Sequence, residues 1–162
     1  MTVTLKTLRK DEIEPVLPQL ARLRISVFRD WPYLYDGSLD YEEKYLARYA
    51  KTPGAVIVGA FDDDVLIGAA TGAPLDTELV EFRKPFTGHG LLPVEIFYLA
   101  ESVLEPAYRG RGIGHGFFEA REAHARALGY QRAAFCAVLR PATHPARAAG
   151  YRPLDPFWTK RG

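Results

Sequence analysis

The chain has 162 residues, of which 48% are hydrophobic and 25% are charged, and its formal net charge is +1. These values predict one globular domain over residues 1–162 and argue against a disordered chain or a broad nucleic-acid surface. The sequence has no apolar run of membrane-spanning length and no signal-peptide core, and its single cysteine excludes an intrachain disulfide and a cysteine-based zinc cluster. We therefore expect no membrane partner and a reducing, cytoplasmic compartment.

The first half of the chain predicts a strand, two helices and a hairpin. The predicted elements are a strand at 2–8, a helix at 16–28, a helix capped by Asp40 and ending before Pro53, and strands at 55–61 and 65–71. Three aspartates, residues 62–64, separate the last two strands. We interpret them as a solvated hairpin turn and not as a metal site, because no further ligands are spaced around them.

An aromatic loop, residues 28–37, joins the first two helices. Two interpretations are open: the loop packs over the core, or it forms a wall of a substrate site, since loops often carry binding residues. Under the second interpretation Trp31, Tyr33 and Tyr35 are candidate substrate-binding residues.

The second half alternates strands and helices. The predicted elements are a short helix at 76–82, a possible lid loop at 87–90, a strand at 94–104, a helix at 111–128, a strand at 131–139 and a last helical turn at 157–162. Cys136 lies on the last strand and is predicted to be a buried, inert thiol. The whole pattern predicts an α/β or α+β domain around a mixed sheet.

The most informative stretch is a glycine-rich segment between a strand and a helix. Gly110, Gly112 and Gly114 alternate with other residues, and Arg109 and Arg111 stand among them. The first turn of a helix has free N–H groups, which together with the helix dipole bind phosphate. Glycine lets a ligand approach the backbone, and arginine offers forked donors to phosphate oxygens. The segment therefore predicts a pyrophosphate cradle.

The spacing distinguishes this cradle from two common phosphate motifs. Gly-x-Gly-x-x-Gly fails because His115 and Phe117 stand where the third glycine belongs, and Gly-Lys-Ser/Thr is absent. Residues 109–114 instead resemble the Arg/Gln-x-x-Gly-x-Gly/Ala signature of the GNAT superfamily of N-acetyltransferases. Leu104-x-Pro106-x-x-Arg109 resembles the approach to that signature from the family's fourth strand, and the order of elements is similar over nearly the whole chain.

The resemblance implies a mixed, mostly antiparallel central sheet flanked by helices, with acetyl-CoA as donor and no metal. The cofactor-binding residues it implies are Arg109, Gly110, Arg111, Gly112, Ile113 and Gly114 for the pyrophosphate, and Ser102, Val103 and Leu104 for the pantetheine arm. One strand N–H group would stabilise the oxyanion of the reaction. The resemblance implies that an amine of the acceptor attacks directly. The aromatic residues 31–35 and Glu101 favour a small-molecule or peptide amine as the acceptor, and not a nucleic acid.

Glu101 is the sole acidic residue between Ile96 and Leu104 and is the candidate general base, acting directly or through water. A substrate-ammonium anchor and a salt bridge to an arginine are the open alternatives. Tyr98 is the next candidate on that strand and a candidate substrate contact. His89 and His144 are further possibilities in loops.

Two features depart from the family pattern. Trp158 stands where many members have a tyrosine that protonates the departing thiolate, so no general acid is assigned; Tyr151 and solvent are alternatives. The family fold normally continues with two more strands, so we expect a domain that is incomplete at its C-terminus, with an exposed edge that a homodimer partner could cover. An inactive acyl-CoA-binding sensor is the alternative function.

Overall fold

The computed structural model describes residues 2–138, 140–141, 143–147, 149 and 151–161. The helices and strands, in chain order, are β1 (Val3–Leu8), α1 (Leu17–Phe28), α2 (Leu39–Lys51), β2 (Val56–Asp62), β3 (Val65–Pro74), α3 (Val80–Thr87), β4 (Ile96–Leu104), α4 (Ile113–Ala127), β5 (Arg132–Ala134) and α5 (Asp155–Arg161). This succession confirms the predicted mixed α/β class. None of the described helices is both long enough and apolar enough to cross a membrane.

The strands form one sheet in the order β1-β2-β3-β4-β5. The first four strands are antiparallel neighbours, whereas β5 runs parallel to β4. The β4–β5 pairing covers three residue pairs, from Ile96–Arg132 to Tyr98–Ala134. The mostly antiparallel sheet flanked by helices is confirmed, and β5 is shorter than the predicted strand at 131–139. Leu139 lies outside the described residues.

Helices cover both faces of the sheet. One face packs against α1 and α2, through buried residues that include Leu20, Leu46, Ile57, Ala69 and Val103. The opposite face packs against α4, through buried residues that include Val58, Ala70, Phe97 and Phe117. Phe157 and Trp158 of α5 pack against this second cluster, so α5 lies on the α4 side. β4 is thus in contact with α1 on one face and with α4 on the other.

Some predicted details are wrong for identifiable reasons. The short helix predicted at 76–82 is a single 3-10 turn at Leu75–Thr77, and α3 begins only at Val80, because Glu78 is extended. Ser38, and not Asp40, caps α2, since the helix begins two residues earlier than predicted and the hydroxyl of Ser38 accepts from the Tyr41 N–H. Cys136 is exposed and not buried, because β5 ends before it.

Candidate active site

The glycine-rich segment forms an open backbone cradle at the start of α4. Gly110 and Gly112 have φ angles of 77° and 80°, in the left-handed region that favours glycine, and Gly112 is the residue before the helix. A Cβ atom built on either glycine would meet nothing within 4 Å. The N–H of Gly116 closes the first helical turn on the carbonyl of Gly112, so the N–H groups of the preceding turn point out of the helix. The cradle therefore has both the space and the donors that an anion needs.

Two exposed arginines flank the cradle. The guanidinium of Arg109 donates from Nε and Nη2 to the carbonyl oxygen of Leu104, at 3.2 and 3.1 Å. Arg111 donates to the carbonyl of Ala107 at 3.2 Å and lies over the Tyr108 ring, 5.3 Å from its centroid. Each guanidinium has five N–H donors, so these contacts orient the side chains and leave donors for phosphate oxygens.

β4 leads into the cradle along an open edge. Its pairing with β5 ends at Tyr98, and among the described residues no strand lies beside it from there to Leu104. The N–H of Glu105 donates to Ile67 of β3 at 2.9 Å. Because N–H groups alternate in direction along a strand, the N–H of Val103 also faces β3, whereas those of Ser102 and Leu104 face the open edge. No described residue accepts a hydrogen bond from these two N–H groups, so they can pair with an extended ligand.

A β-bulge interrupts β4 in the middle of this edge. Glu101 faces Thr71 and Leu99 faces Gly72, so Ala100 is an extra residue without a partner on β3. A bulge bends the strand and changes which face the following side chains occupy. It stands two residues after the last β4–β5 pair, where the two strands part.

The carboxylate of Glu101 is paired with the guanidinium of Arg24 on α1. Arg24 also binds Glu42 of α2 at 2.5 Å, and the hydroxyl of Tyr35 donates to Glu42 at 2.8 Å. The Arg24 side chain is 7% exposed and that of Glu42 is 0% exposed, whereas 26% of the Glu101 side chain is exposed. The cluster thus holds two carboxylates against one guanidinium, and Glu101 is its solvent-facing member. The salt bridge to an arginine, one of the three alternatives for Glu101, is present; the general base and the ammonium anchor stay predictions.

The aromatic loop packs on the core through Tyr33 and Tyr35, whereas its role as a wall of a substrate site stays a prediction. Trp31 packs against His144 and Tyr151, with ring centroids 4.9 and 6.3 Å away, and Tyr33 packs against Phe28 at 4.7 Å. Burial raises the pKa of Tyr33. All three candidate residues of the loop are half-buried, and the hydrogen bond of Tyr35 joins the loop to the Arg24–Glu42–Glu101 cluster. Burial and this bond raise the pKa of Tyr35 to about 12, so its hydroxyl stays protonated at neutral pH.

Tyr98 lies apart from the open surface. Its side chain is 3% exposed and packs against Phe82 of α3, with ring centroids 5.8 Å apart. The pKa of Tyr98 is raised mainly by burial and, to a smaller extent, by a hydrogen bond with Cys136. A ligand can reach Tyr98 only if these neighbours move, so its role as a substrate contact stays a prediction.

The other residues considered from the sequence lie in different surroundings. His115 packs on Phe157 at 4.6 Å and contacts Arg161 of α5 at 3.2 Å, so its ring is directed to α5. Trp158 packs on Phe135, with centroids 5.3 Å apart. Among the described residues, no group of three or more histidine, cysteine or acidic side chains could hold a metal ion.

Sequence reasoning missed Arg24 and Glu42. A signal was present: Arg24 is four residues after Leu20 and four before Phe28, and Glu42 is four residues before Leu46, all of them buried. A charged residue at a helix position where an apolar residue is expected indicates one of two things: the buried face of the helix is open to solvent there, or the charge belongs to a buried ion pair. The partners that decide between these come from elsewhere in the chain.

The model of the acetyltransferase (GNAT) family matches residues 20–150. No curated protein sequence matches the chain. Solved structures with a similar fold include an aminoglycoside 6'-N-acetyltransferase from Acinetobacter baumannii, with 17% identity, a TM-score of 0.63, and coverage of 94% of this chain and 97% of that chain. A ribosomal-protein-alanine N-acetyltransferase from Brucella melitensis biovar Abortus 2308 has 17% identity, a TM-score of 0.57, and coverage of 94% and 96%. The acetyltransferase AAC(6')-Iy, in complex with the bisubstrate analogue CoA-S-monomethyl-acetylneamine, has 16% identity, a TM-score of 0.61, and coverage of 94% and 99%. At such identities the likeness shows a shared fold.

Proposed function

We propose that this chain, which belongs to the GNAT family of acetyltransferases, transfers an acetyl group from acetyl-CoA to a primary amine of a small molecule or peptide. The match over residues 20–150 confirms the family resemblance that the glycine-rich segment indicated. One observation carries the proposal: the open edge of β4 runs directly into the free N–H groups and left-handed glycines of the cradle. An extended arm that ends in a pyrophosphate fits this continuous row of backbone donors.

The donor is assigned to the α4 side of this edge. The N–H groups of residues 109–114, with the guanidiniums of Arg109 and Arg111, would hold the pyrophosphate, and the N–H groups of Ser102 and Leu104 would pair with the pantetheine arm. A strand N–H that points at the thioester carbonyl would stabilise the negative charge that develops on its oxygen during attack. Two solved structures of AAC(6')-Iy bear on this assignment, since one is in complex with CoA and the other with an analogue built on CoA.

The acceptor is assigned to the α1 side of β4. The amine nitrogen attacks the thioester carbon, the carbon–sulfur bond breaks, and the amine loses a proton. Glu101 is proposed to take that proton, directly or through water, because its carboxylate is partly exposed and belongs to a cluster with one excess negative charge. The same charge would attract an ammonium group of the acceptor. No side chain is assigned to protonate the departing thiolate.

The proposed acceptor is a small-molecule or peptide amine. The names of the similar structures refer to aminoglycoside amines and to the alanine of a ribosomal protein, so both small molecules and peptide N-termini belong in the test. Tyr35, which is bonded to Glu42 of the negative cluster, and Tyr33 of the same loop are both half-buried, and they favour an acceptor that combines a cationic amine with a flat or apolar part.

Two measurements test the proposal. Calorimetry with CoA measures donor binding, and thiol release from acetyl-CoA is followed across a panel of aminoglycosides, polyamines, lysine peptides and peptides with a free N-terminus. We expect CoA binding and thiol release with at least one amine, and mass spectrometry of that amine should show a single added acetyl group. Tight CoA binding without thiol release on any amine would favour the sensor instead. Absence of CoA binding would refute both.

A further inference from the structure

Arg121 of α4 is a buried cation with which none of the described carboxylates pairs. The residue is 1% exposed, and no salt bridge to it forms among the described residues. Its guanidinium donates to the carbonyl oxygens of Phe117, Thr71 and Glu101 and to the hydroxyl of Ser102. Burial lowers the pKa of Arg121 to about 10, so the side chain stays charged at neutral pH. A buried charge is costly, and these four acceptors are what compensate for its lost hydration.

Three of the four partners of Arg121 lie on β3 and β4 next to the β4 bulge. The Nη1 atom donates to Thr71 O at 3.1 Å and to Glu101 O at 3.2 Å, and these two residues face each other where the β3–β4 register shifts. The Nη2 atom donates at 3.0 Å to Ser102, the next residue of β4. A bulge disrupts the ladder, and buried carbonyl groups need donors. Arg121 supplies these donors from the opposite element, α4.

The bulge decides what each side of β4 presents. Before it, Phe97 and Leu99 belong to the cluster that packs on α4. After it, Ser102 bonds to Arg121 of α4 and Leu104 packs against the apolar cluster under α4. Glu101 lies on the opposite face, where it pairs with Arg24 of α1. Strict alternation would have placed Glu101 on the same face as Phe97 and Leu99. The conformation of the bulge therefore sets both the face of the proposed base and the direction of the edge N–H groups.

We propose that Arg121 is a positioning residue for acetyl transfer, which holds the β4 bulge so that Glu101 faces the acceptor while the N–H groups of Ser102 and Leu104 face the donor. This inference rests on the proposed function. The four partners of Arg121 all lie outside residues 109–114, where the pyrophosphate is assigned. Because the pyrophosphate keeps its contacts when Arg121 is replaced, turnover should fall much more than CoA affinity.

The test compares Arg121→Met and Arg121→Lys with Arg126→Met, all in the full chain. Arg126 is a matched control, since it lies on the same helix, its side chain is 69% exposed, and its ion pair is with Glu122. The readouts are kcat, the dissociation constant for CoA, the thermal midpoint, and amide hydrogen exchange over residues 99–104. We expect Arg121→Met to lower kcat by about 10- to 100-fold, the size of effect that misplaced reacting groups have, while CoA affinity changes less than about threefold. Exchange over residues 99–104 should become faster, and Arg121→Lys should restore part of the lost kcat.

Two results would overturn the inference. One is a kcat and an exchange profile for Arg121→Met equal to those of Arg126→Met. The other is a parallel fall of kcat, CoA affinity and thermal midpoint in both Arg121 variants, which would show a general structural role.

If Arg121→Met does not fold, Ser102→Ala tests the same contact, because it removes one acceptor of the guanidinium and leaves the charge in place. Its kcat should fall by about 3- to 10-fold with CoA affinity kept, in line with the loss of one hydrogen bond; an unchanged kcat and exchange profile would count against the inference.

Hydrogen exchange also separates the two proposals. A wild-type chain that transfers no acetyl group refutes the proposed function. Equal exchange rates over residues 99–104 in the wild type and the Arg121 variants refute the proposal that Arg121 stabilises the bulge.

Discussion

The guanidinium of Arg24 on α1 is paired with the carboxylate of Glu101 on β4. Arg24 is itself stacked between Phe28 and Tyr45, with ring centroids 5.2 and 4.9 Å from its guanidinium carbon, and is bound by Glu42. The position of Glu101 is therefore set by the first two helices as well as by its own strand. The proposed acceptor side is a joint product of α1, α2 and β4.

Replacing Glu101 with glutamine should lower the rate of acetyl transfer. Loss of a general base costs about 10²- to 10⁴-fold, and glutamine keeps the shape of the side chain without its proton affinity. Steady-state kinetics with a responsive amine measure the effect. Glu119→Gln is the control, because Glu119 is exposed on α4, and its rate should equal that of the wild type.

The same variant separates the two remaining roles of Glu101. A base acts in the reaction step, so its loss lowers kcat, whereas an ammonium anchor acts in binding, so its loss raises the KM for the amine while kcat is kept. Wild-type values of both constants in Glu101→Gln would remove Glu101 from the reaction altogether.

Replacing Arg24 with methionine should destabilise the fold. The variant leaves Glu42, whose side chain is 0% exposed, without its cationic partner, and removing one member of a buried ion pair costs about 3–5 kcal/mol. Urea denaturation measures the free energy of unfolding, and Arg22→Met, at an exposed position of the same helix, should lie close to the wild type. The double variant Arg24→Met/Glu42→Leu should recover part of the loss. Equal stability of Arg24→Met and Arg22→Met would contradict the pairing.

Replacing Gly112 with aspartate should weaken CoA binding strongly. The new carboxylate would stand at the N-terminus of α4, where it competes with phosphate for the same N–H groups and repels it, and we expect a loss of about 100-fold or more. Gly129→Asp is a closely matched control. Gly129 has a φ of 91° and open space around its Cβ position, as Gly112 does, but it lies past the other end of α4. Calorimetry that finds equal CoA affinities for the two variants would remove the pyrophosphate from this cradle.

His124 should make the stability of the fold depend on pH. The residue is 7% exposed, its Nε2 lies 2.8 Å from the carbonyl of Gly54, and burial lowers its pKa. Above the unfolded pKa of about 6.5, His124 is neutral in both states and titration adds nothing. As the pH falls below that value, the unfolded chain binds a proton that the folded chain refuses, so stability is lost until the lowered folded pKa is passed.

Urea denaturation at several pH values between about 7.5 and 5 checks this expectation. His124→Gln should lose less stability than the wild type over that interval, even if it is less stable at neutral pH. His89→Gln, at an exposed histidine, should follow the wild-type slope. Equal slopes for all three proteins would show that His124 is protonated as readily in the folded chain as in the unfolded one.

The cradle was predictable from the sequence because its parts are adjacent in the chain. Left-handed glycines, a helix start and two arginines all fall within residues 109–114, and local rules relate each of them to backbone conformation. The succession of strands and helices was predictable for the same reason, since apolar periodicity is a local signal. Predictions failed where a local rule met a competing neighbour, as at Asp40, which lost the cap of α2 to Ser38.

The sequence by itself determined the order of elements, the cradle and the family resemblance. Tertiary structure decided the face on which Glu101 lies and the partner it has, because a single extra residue in β4 reverses the alternation of side chains and leaves no mark in the periodicity. Arg24 and Arg121 occupy apolar positions of their helices, and the sequence analysis singled out neither of them. Their partners lie 77 residues away at Glu101 and 50 residues away at Thr71, and contacts at such separation depend on how the helices pack against the sheet.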